Sequence, residues 1–154
     1  MSKTLPLLPV LVAAGIVLLA AIVAFYPYRS LLLAAGTDRS AYAPGEPVNI
    51  SVILRAGGNT PITLQFGSSC KIAFVVDNEG GDTIYNDLQH GACLQGFFGL
   101  TLQPGENFTV NFTWTQVNDS GSLVPAHHTY EIRPVLRASP SFQVTTTVAR
   151  IFVG

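Results

Sequence analysis

The sequence predicts an all-β protein: an immunoglobulin-like antiparallel β-sandwich of seven to nine strands, preceded by one N-terminal transmembrane helix. Hydrophobic residues make up 48% of the 154 residues and charged residues only 11%, against about 25% charged in ordinary domains. All nine acidic residues follow Gly36, so one apolar N-terminal segment explains this composition. After that segment, apolar and polar residues alternate in short runs separated by Gly, Pro and Asn, which is typical of strands and tight turns.

The apolar segment is Leu5–Tyr28, which contains no charged residue over 24 positions. A helix needs about 20 residues to cross the hydrocarbon of a bilayer. We therefore predict a transmembrane anchor and join over residues 1–36 and an extracytoplasmic domain over residues 37–154. The alternative is a cleaved signal peptide, since a small-x-small cleavage site precedes Thr37.

The remaining residues are predicted to form a meander of short strands. The clearest is Asn107–Trp114, in which four apolar residues share one face and four polar residues the other. Leu31–Ala35 is either a first strand or an extension of the N-terminal helix. The last strand is expected over Ser141–Val153, with a bulge near Arg150. The other alternating segments are 48–55, 62–66, 71–76, 98–102 and 130–136.

Two cysteines, Cys70 and Cys93, are predicted to form a disulfide, because a cysteine pair in a small extracytoplasmic domain is most simply bonded. The bond would close a loop of about 24 residues and stabilise the fold by roughly 3 kcal/mol through chain entropy. Two buried free thiols are the alternative.

Four Asn-x-Ser/Thr sequons are predicted glycosylation sites. They are Asn49, Asn107, Asn111 and Asn118. The first three lie on the polar side of predicted strands, where a glycan could project into solvent. Ordinary polar residues on an exposed sheet face are the alternative. The anchor, the cysteines and the sequons together predict a single-pass glycoprotein of the cell membrane with its C-terminal domain outside the cytoplasm.

No residue pattern points to catalysis, so the chain is not predicted to be an enzyme. His90 and Cys93 have the spacing of a chelating loop, but a blue-copper site also needs an axial methionine, and the only methionine is Met1. The sequence has no nucleophile elbow, phosphate-binding loop or dinucleotide fingerprint. We predict no catalytic, cofactor-binding or metal-binding residue. Nine acidic and six basic residues follow Gly36, which excludes a basic nucleic-acid binder.

Several short motifs are shared with one known family of β-sandwiches. They are AYAPGEPV at 41–48, TPITLQFGSS at 60–69, FVVDNEG at 74–80, LQPGE at 102–106 with FTW at 112–114, and VP at 124–125 before Tyr130. These motifs resemble the BsuPI domain, the intracellular proteinase inhibitor family, over residues 38–138. The resemblance implies an immunoglobulin-like sandwich that binds rather than catalyses. The predicted anchor, cysteine pair and sequons depart from that pattern, and no inhibitory residues carry over from it.

These features predict a membrane-anchored extracytoplasmic module that binds another protein, such as an accessory subunit of a cell-surface or membrane complex. Sandwiches supply rigid frames whose loops and edge strands recognise partners. The alternative is a subunit of an extracellular filament or envelope-anchoring assembly, similar to a pilus or an archaellum stator. That alternative needs a free apolar strand, for which Ser141–Val153 is the candidate. The membrane is the second partner, through residues 5–28, and self-association stays open.

The predicted faces of strand Asn107–Trp114 give a first test. Phe112→Ala should remove about 3–5 kcal/mol from the stability of the domain and prevent its stable expression, because a buried ring is lost. Asn111→Gln should cost less than about 1 kcal/mol, and it should lower the mass where a glycan is attached. Thermal unfolding of both variants against wild type is the measurement. Equal losses would mean that the inward and outward faces are misassigned.

Overall fold

The computed structural model describes residues 28–138, 140 and 143–154. The predicted anchor lies outside the described residues except for its last residue, Tyr28. Within them one helical turn, Asp87–His90 (α1), accompanies a set of strands, so this part of the chain is all-β as predicted. The strands are Arg29–Thr37 (β1), Ala41–Tyr42 (β2), Val48–Gly58 (β3), Ile62–Ser68 (β4), Ile72–Asp77 (β5), Thr83–Asn86 (β6), Gln95–Leu102 (β7), Asn107–Trp114 (β8), His128–Leu136 (β9), Val144–Thr147 (β10) and Ala149–Val153 (β11).

The strands of the described residues form two sheets and a ribbon. Sheet A has the order β10-β1-β3-β8, and sheet B has the order β2-β11-β9-β5-β6. The strands β4 and β7 pair only with each other and form the ribbon. Sheet A lies against sheet B, with β1 facing β9 and β11 and β3 facing β5. This arrangement is the predicted sandwich.

The core lies between the inward faces of the two sheets. Along β3 every second residue from Val48 to Ala56 is buried, because successive side chains of a strand point to opposite faces. Trp114 is buried beside Tyr130, with ring centroids 5.9 Å apart in an edge-on arrangement. Phe74 packs against Phe112 at 5.2 Å. These rings fill the space between the sheets with large apolar area.

Strand β8 alternates as predicted. Its asparagines and threonines are exposed, and Trp114 is buried. Phe108, Val110 and Phe112 are only half-buried, because β8 is the edge strand of sheet A. The loss expected for Phe112→Ala therefore falls toward the lower end of its range.

The sandwich differs from the predicted one in three respects. The described residues hold eleven strands rather than seven to nine, since β2 and β6 are too short to show alternation. The sandwich is not wholly antiparallel, because β1 pairs with β10 and β2 with β11 in parallel. The expected last strand, Ser141–Val153, is two strands that lie in different sheets and meet at Val148. The slip near Arg150 is thus a crossing between sheets, and residues 141 and 142 lie outside the described ranges.

Leu31–Ala35, predicted as either a first strand or an extension of the N-terminal helix, belongs to strand β1. Leu31 and Leu33 are buried, and β1 lies between β10 and β3. A cut before Thr37 would remove this strand from sheet A, so the described sandwich begins at Arg29 rather than at residue 37. Among the residues that the structure describes, no helix is long and apolar enough to cross a membrane.

A buried glutamine joins two loops at one end of the sandwich. The side-chain Oε1 of Gln116 accepts a hydrogen bond from the N–H of Gly45 at 2.8 Å. Its Nε2 donates to the carbonyls of Ala43 at 2.9 Å and Glu46 at 2.8 Å. A buried amide is costly unless it is paired, and here each of its polar atoms has a partner. These bonds hold the turn before β3 against the segment after β8.

Cys70 and Cys93 form a disulfide, as predicted, with their Cα atoms 5.4 Å apart. The bond joins the residues just before β5 to the loop between α1 and β7. That loop contributes no residue to the buried core. The disulfide therefore anchors a segment that hydrophobic packing does not hold.

Gln116→Met is expected to lower the free energy of unfolding by about 2–4 kcal/mol, because three hydrogen bonds are lost, each with a net contribution of about 0.5–1.5 kcal/mol. Methionine keeps the length of the side chain, so the change isolates the hydrogen bonds. Gln65→Met, at an exposed position of β4, is the matched control and should cost less than about 0.5 kcal/mol. Denaturant unfolding measures both, and equal values would contradict the role given to Gln116.

Replacing Cys70 and Cys93 together by serine is expected to lower the free energy of unfolding by about 3 kcal/mol, since the unfolded chain loses a loop constraint. Reductant should lower the thermal midpoint of the wild type and leave that of the double variant unchanged. Thiol labelling of the folded, unreduced protein is the second measurement. Modification of both cysteines there would show that they are not bonded.

Candidate functional site

The helical turn α1 is fastened at both of its ends. At its start the side chain of Asn86 accepts a hydrogen bond from the N–H of Leu88 at 3.1 Å, as a capping residue does. At its end the N–H of Gly91 donates to the carbonyl of Asp87 at 3.0 Å. The chain therefore leaves this turn at a defined position.

His90 attaches the same turn to the loop that follows β8. Its ring stacks on Tyr85 with centroids 4.9 Å apart, and its Nε2 lies 2.9 Å from a carboxylate oxygen of Asp119. Burial raises the pKa of Asp119, but the N–H of Asn86 and the His90 ring outweigh that effect, and the net pKa is below the ordinary value. Asp119 is thus held as an anion between two elements.

Residues 91–97, which we call the display loop, run from the end of α1 into the first residues of β7. Three contacts tie the loop to the segment between β4 and β5. The disulfide joins Cys93 to Cys70. The N–H of Ser69 donates to the carbonyl of Leu94 at 2.9 Å, and the N–H of Leu94 donates to the Ser69 hydroxyl at 3.0 Å. The display loop is therefore held by covalent and polar contacts rather than by burial.

The ribbon contains a β-bulge where the display loop enters it. Phe66 of β4 pairs with Phe98 of β7, but the next pair is Ser68 with Gln95, so β7 has one residue more than β4 between the two pairs. The two β7 residues in this interval are Gly96 and Phe97. A bulge re-aims side chains relative to a regular ladder.

Two apolar side chains of the display loop stand in solvent, one of them, Phe97, within the bulge. Phe97 is 97% exposed and Leu94 is 72% exposed. The neighbouring Phe98 turns the other way and packs against the core. The display loop and both strands of the ribbon contain no Asp, Glu, Lys or Arg.

A groove of about 340 Å³ lies under the display loop. The half-buried apolar side of β8 forms one wall, and Asp87, Gly91 and Ala92 form part of the other. Burial raises the pKa of Asp87, and His90 opposes this effect. The groove offers apolar contact area beside the loop, and the charged residues Lys71 and Asp87 also line it.

A second groove, of about 350 Å³, lies beside the hairpin between β5 and β6. Glu79 lines it, and its carboxylate accepts a hydrogen bond from the N–H of Thr129 at 2.8 Å. That bond holds the pKa of Glu79 below its ordinary value, and His128, 3.7 Å away, adds to this effect. These contacts explain the carboxylate as a structural link between the hairpin and β9.

The two candidate metal ligands of the sequence, His90 and Cys93, each bind a different residue of the chain. Cys93 is bonded to Cys70, and His90 faces Asp119. In the part of the chain that the structure describes, no three His, Cys, Asp or Glu side chains are grouped so that they could hold a metal ion.

Of the four sequon asparagines, Asn49, Asn107 and Asn111 are exposed, and Asn118 is half-buried. Asn49 donates to Asp38 at 3.4 Å, and Asn111 accepts from the hydroxyl of Ser51 at 2.8 Å. Asn118 accepts from two backbone N–H groups of its own turn, at 3.1 and 2.9 Å, and so has a structural role in a loop. Glycosylation of Asn49, Asn107, Asn111 and Asn118 stays a prediction.

Sequence reasoning did not single out Leu94 and Phe97. A signal was present in the pair Phe97–Phe98, because adjacent residues of a strand point to opposite faces and both rings cannot enter the core. Whether β7 carries an extra residue between two paired positions, however, depends on how it pairs with β4. The bulge and the exposure of Phe97 therefore become visible only in the structure.

Solved structures with a similar fold are distant in sequence. The CARDB domain of a Pyrococcus furiosus protein, in complex with di-metal ions, is 10% identical, with a TM-score of 0.50 over 83% of this chain and 96% of that domain. A β-glucosidase from Erythrobacter marinus is 15% identical, with a TM-score of 0.47, and the match covers 84% of this chain but only 16% of the enzyme. At these identities the likeness concerns the fold alone. No curated protein sequence matches the chain.

Residues 36–140 match the family described as BsuPI, intracellular proteinase inhibitor. This finding corrects the predicted location: a single-pass protein of the cell membrane with its domain outside the cytoplasm is at odds with a family defined as intracellular. The match covers more than half of the chain, and the chain therefore belongs to the BsuPI family of intracellular proteinase inhibitors.

Proposed function

We propose that this chain is a protein-binding domain that inhibits a proteinase by occupying its substrate-binding site, and that the display loop makes the contact. One observation carries the proposal: Leu94 and Phe97 stand in solvent on a loop that a disulfide and two hydrogen bonds hold in place. The class of partner comes from the description of the family.

The exposure of these side chains is costly to the free protein and useful to a complex. Burying a side chain such as Phe or Leu stabilises by about 1.5–3 kcal/mol, and the folded chain forgoes this at both positions. Large apolar side chains at the centre of an interface carry much of the binding free energy, and aromatic rings are prominent among them. Leu94 and Phe97 are placed to act in this way.

The attachment of the display loop favours tight binding. A loop that is already held in its bound conformation loses less entropy on association. Cys93 and Leu94 are tied to Cys70 and Ser69, and the rest of the loop continues into β7. A partner can therefore bind the loop without first ordering it.

The alternative of a filament subunit loses its main support. It required a free apolar strand over Ser141–Val153. In the described part of that segment, β10 pairs with β1, and β11 pairs with β9 and β2. These strands are already used within the chain.

The test is inhibition by the full chain of three endopeptidases whose specificity pockets differ: chymotrypsin, trypsin and elastase. We expect the folded chain at micromolar concentration to slow hydrolysis of a small peptide substrate by at least one of them more than tenfold. The unfolded chain, reduced and alkylated, is the control, since it can compete only as a substrate. If none of the three enzymes is slowed by the folded chain, the proposed function is wrong.

A further inference from the structure

We infer that Phe97 is the anchor of the complex and that the partner is an endopeptidase whose specificity pocket accepts an aromatic side chain. This inference rests on the proposed function and names the chemistry of its contact. The geometry points to Phe97 rather than to Leu94 because its ring is 97% exposed and stands at the bulge. The ring is thus free on nearly all sides to enter a pocket.

The chemistry of the display loop matches an apolar pocket. Proteinases of trypsin type bind a cationic side chain through a buried aspartate, whereas those of chymotrypsin type bind large apolar rings in a hydrophobic slot. The display loop contains no Lys or Arg, and neither do β4 and β7. A pocket of elastase type is too small for a phenyl ring. Of these three, only the hydrophobic slot fits Phe97.

The surroundings of Phe97 let the rim of a pocket approach closely. Gly67 lies opposite the bulge on β4, and a Cβ atom added there would meet nothing within 4 Å. Gly96 precedes Phe97, and Gly99 lies further along β7. No side chain stands at Gly67 opposite the bulge, so the exposed phenyl ring of Phe97 projects beyond this part of β4.

The contacts of Phe97 within its own chain are few, so its side chain can be changed without unfolding the protein. Phe98 supplies the inward ring at this point of β7, and it packs against the core. Substitutions of an exposed side chain usually change stability by less than about 0.5 kcal/mol. Loss of inhibition in a Phe97 variant can therefore be assigned to the interface once its thermal midpoint is shown to be unchanged.

The experiment measures inhibition constants of the full chain and its variants against chymotrypsin, trypsin and elastase. We expect wild type to inhibit chymotrypsin best, and Phe97→Ala to weaken that inhibition at least tenfold. Phe97→Arg should weaken inhibition of chymotrypsin and strengthen inhibition of trypsin. Phe152→Ala is the matched control, because Phe152 is an exposed phenylalanine on β11, outside the ribbon, and it should leave every constant unchanged.

The outcomes separate this inference from the proposed function. If wild type inhibits chymotrypsin and Phe97→Ala does so equally well, the anchor is not Phe97 and the inference is overturned while the proposed function stands. If trypsin or elastase is the enzyme inhibited best, the pocket chemistry is wrong and the inference is likewise overturned. Absence of inhibition of all three enzymes by wild type overturns both.

Discussion

Each of the two sheets has to bury one face against the other, and the rest of this structure depends on that constraint. The two-residue period of a strand means that the same residues which fill the core also decide what the surface shows. Along β3, burial of Val48 to Ala56 at every second position forces Asn49 and Arg55 outward. The chain crosses from sheet A to sheet B at Val148, so that β10 pairs in sheet A and β11 pairs in sheet B.

The display loop lies outside the part of the chain that packs between the two sheets. The ribbon of β4 and β7 buries its inward side chains, but the residues from Gly91 to Phe97 are outside the core. Ordering a loop lowers its conformational entropy, and in this loop no apolar burial offsets that loss. The disulfide and the two Ser69 hydrogen bonds replace burial as the source of order there. Such a loop can keep apolar side chains in solvent and remain defined.

This division between core and loop separates the residues that stabilise the fold from those of the proposed contact. Changes at Trp114, Phe74 or Gln116 act on the buried interior or its polar links, and they are expected to alter folding. Changes at Leu94 and Phe97 touch side chains that the fold does not need. A family that presents a rigid frame can vary such loop residues with little effect on the sandwich.

The sequence by itself determined the inward face of alternating strands such as Asn107–Trp114, because hydrophobic periodicity is a local property. It also indicated the pair Cys70–Cys93 and the family. It led to a wrong cellular location, since an uncharged segment and sequons are compositional signals that carry no information on the family's compartment. Only the tertiary structure decided the parallel pairs, the division of the last strand, the burial of Gln116 and the bulge that exposes Phe97. Each of these depends on a partner strand or loop distant in sequence, and no local pattern records which partner will be chosen.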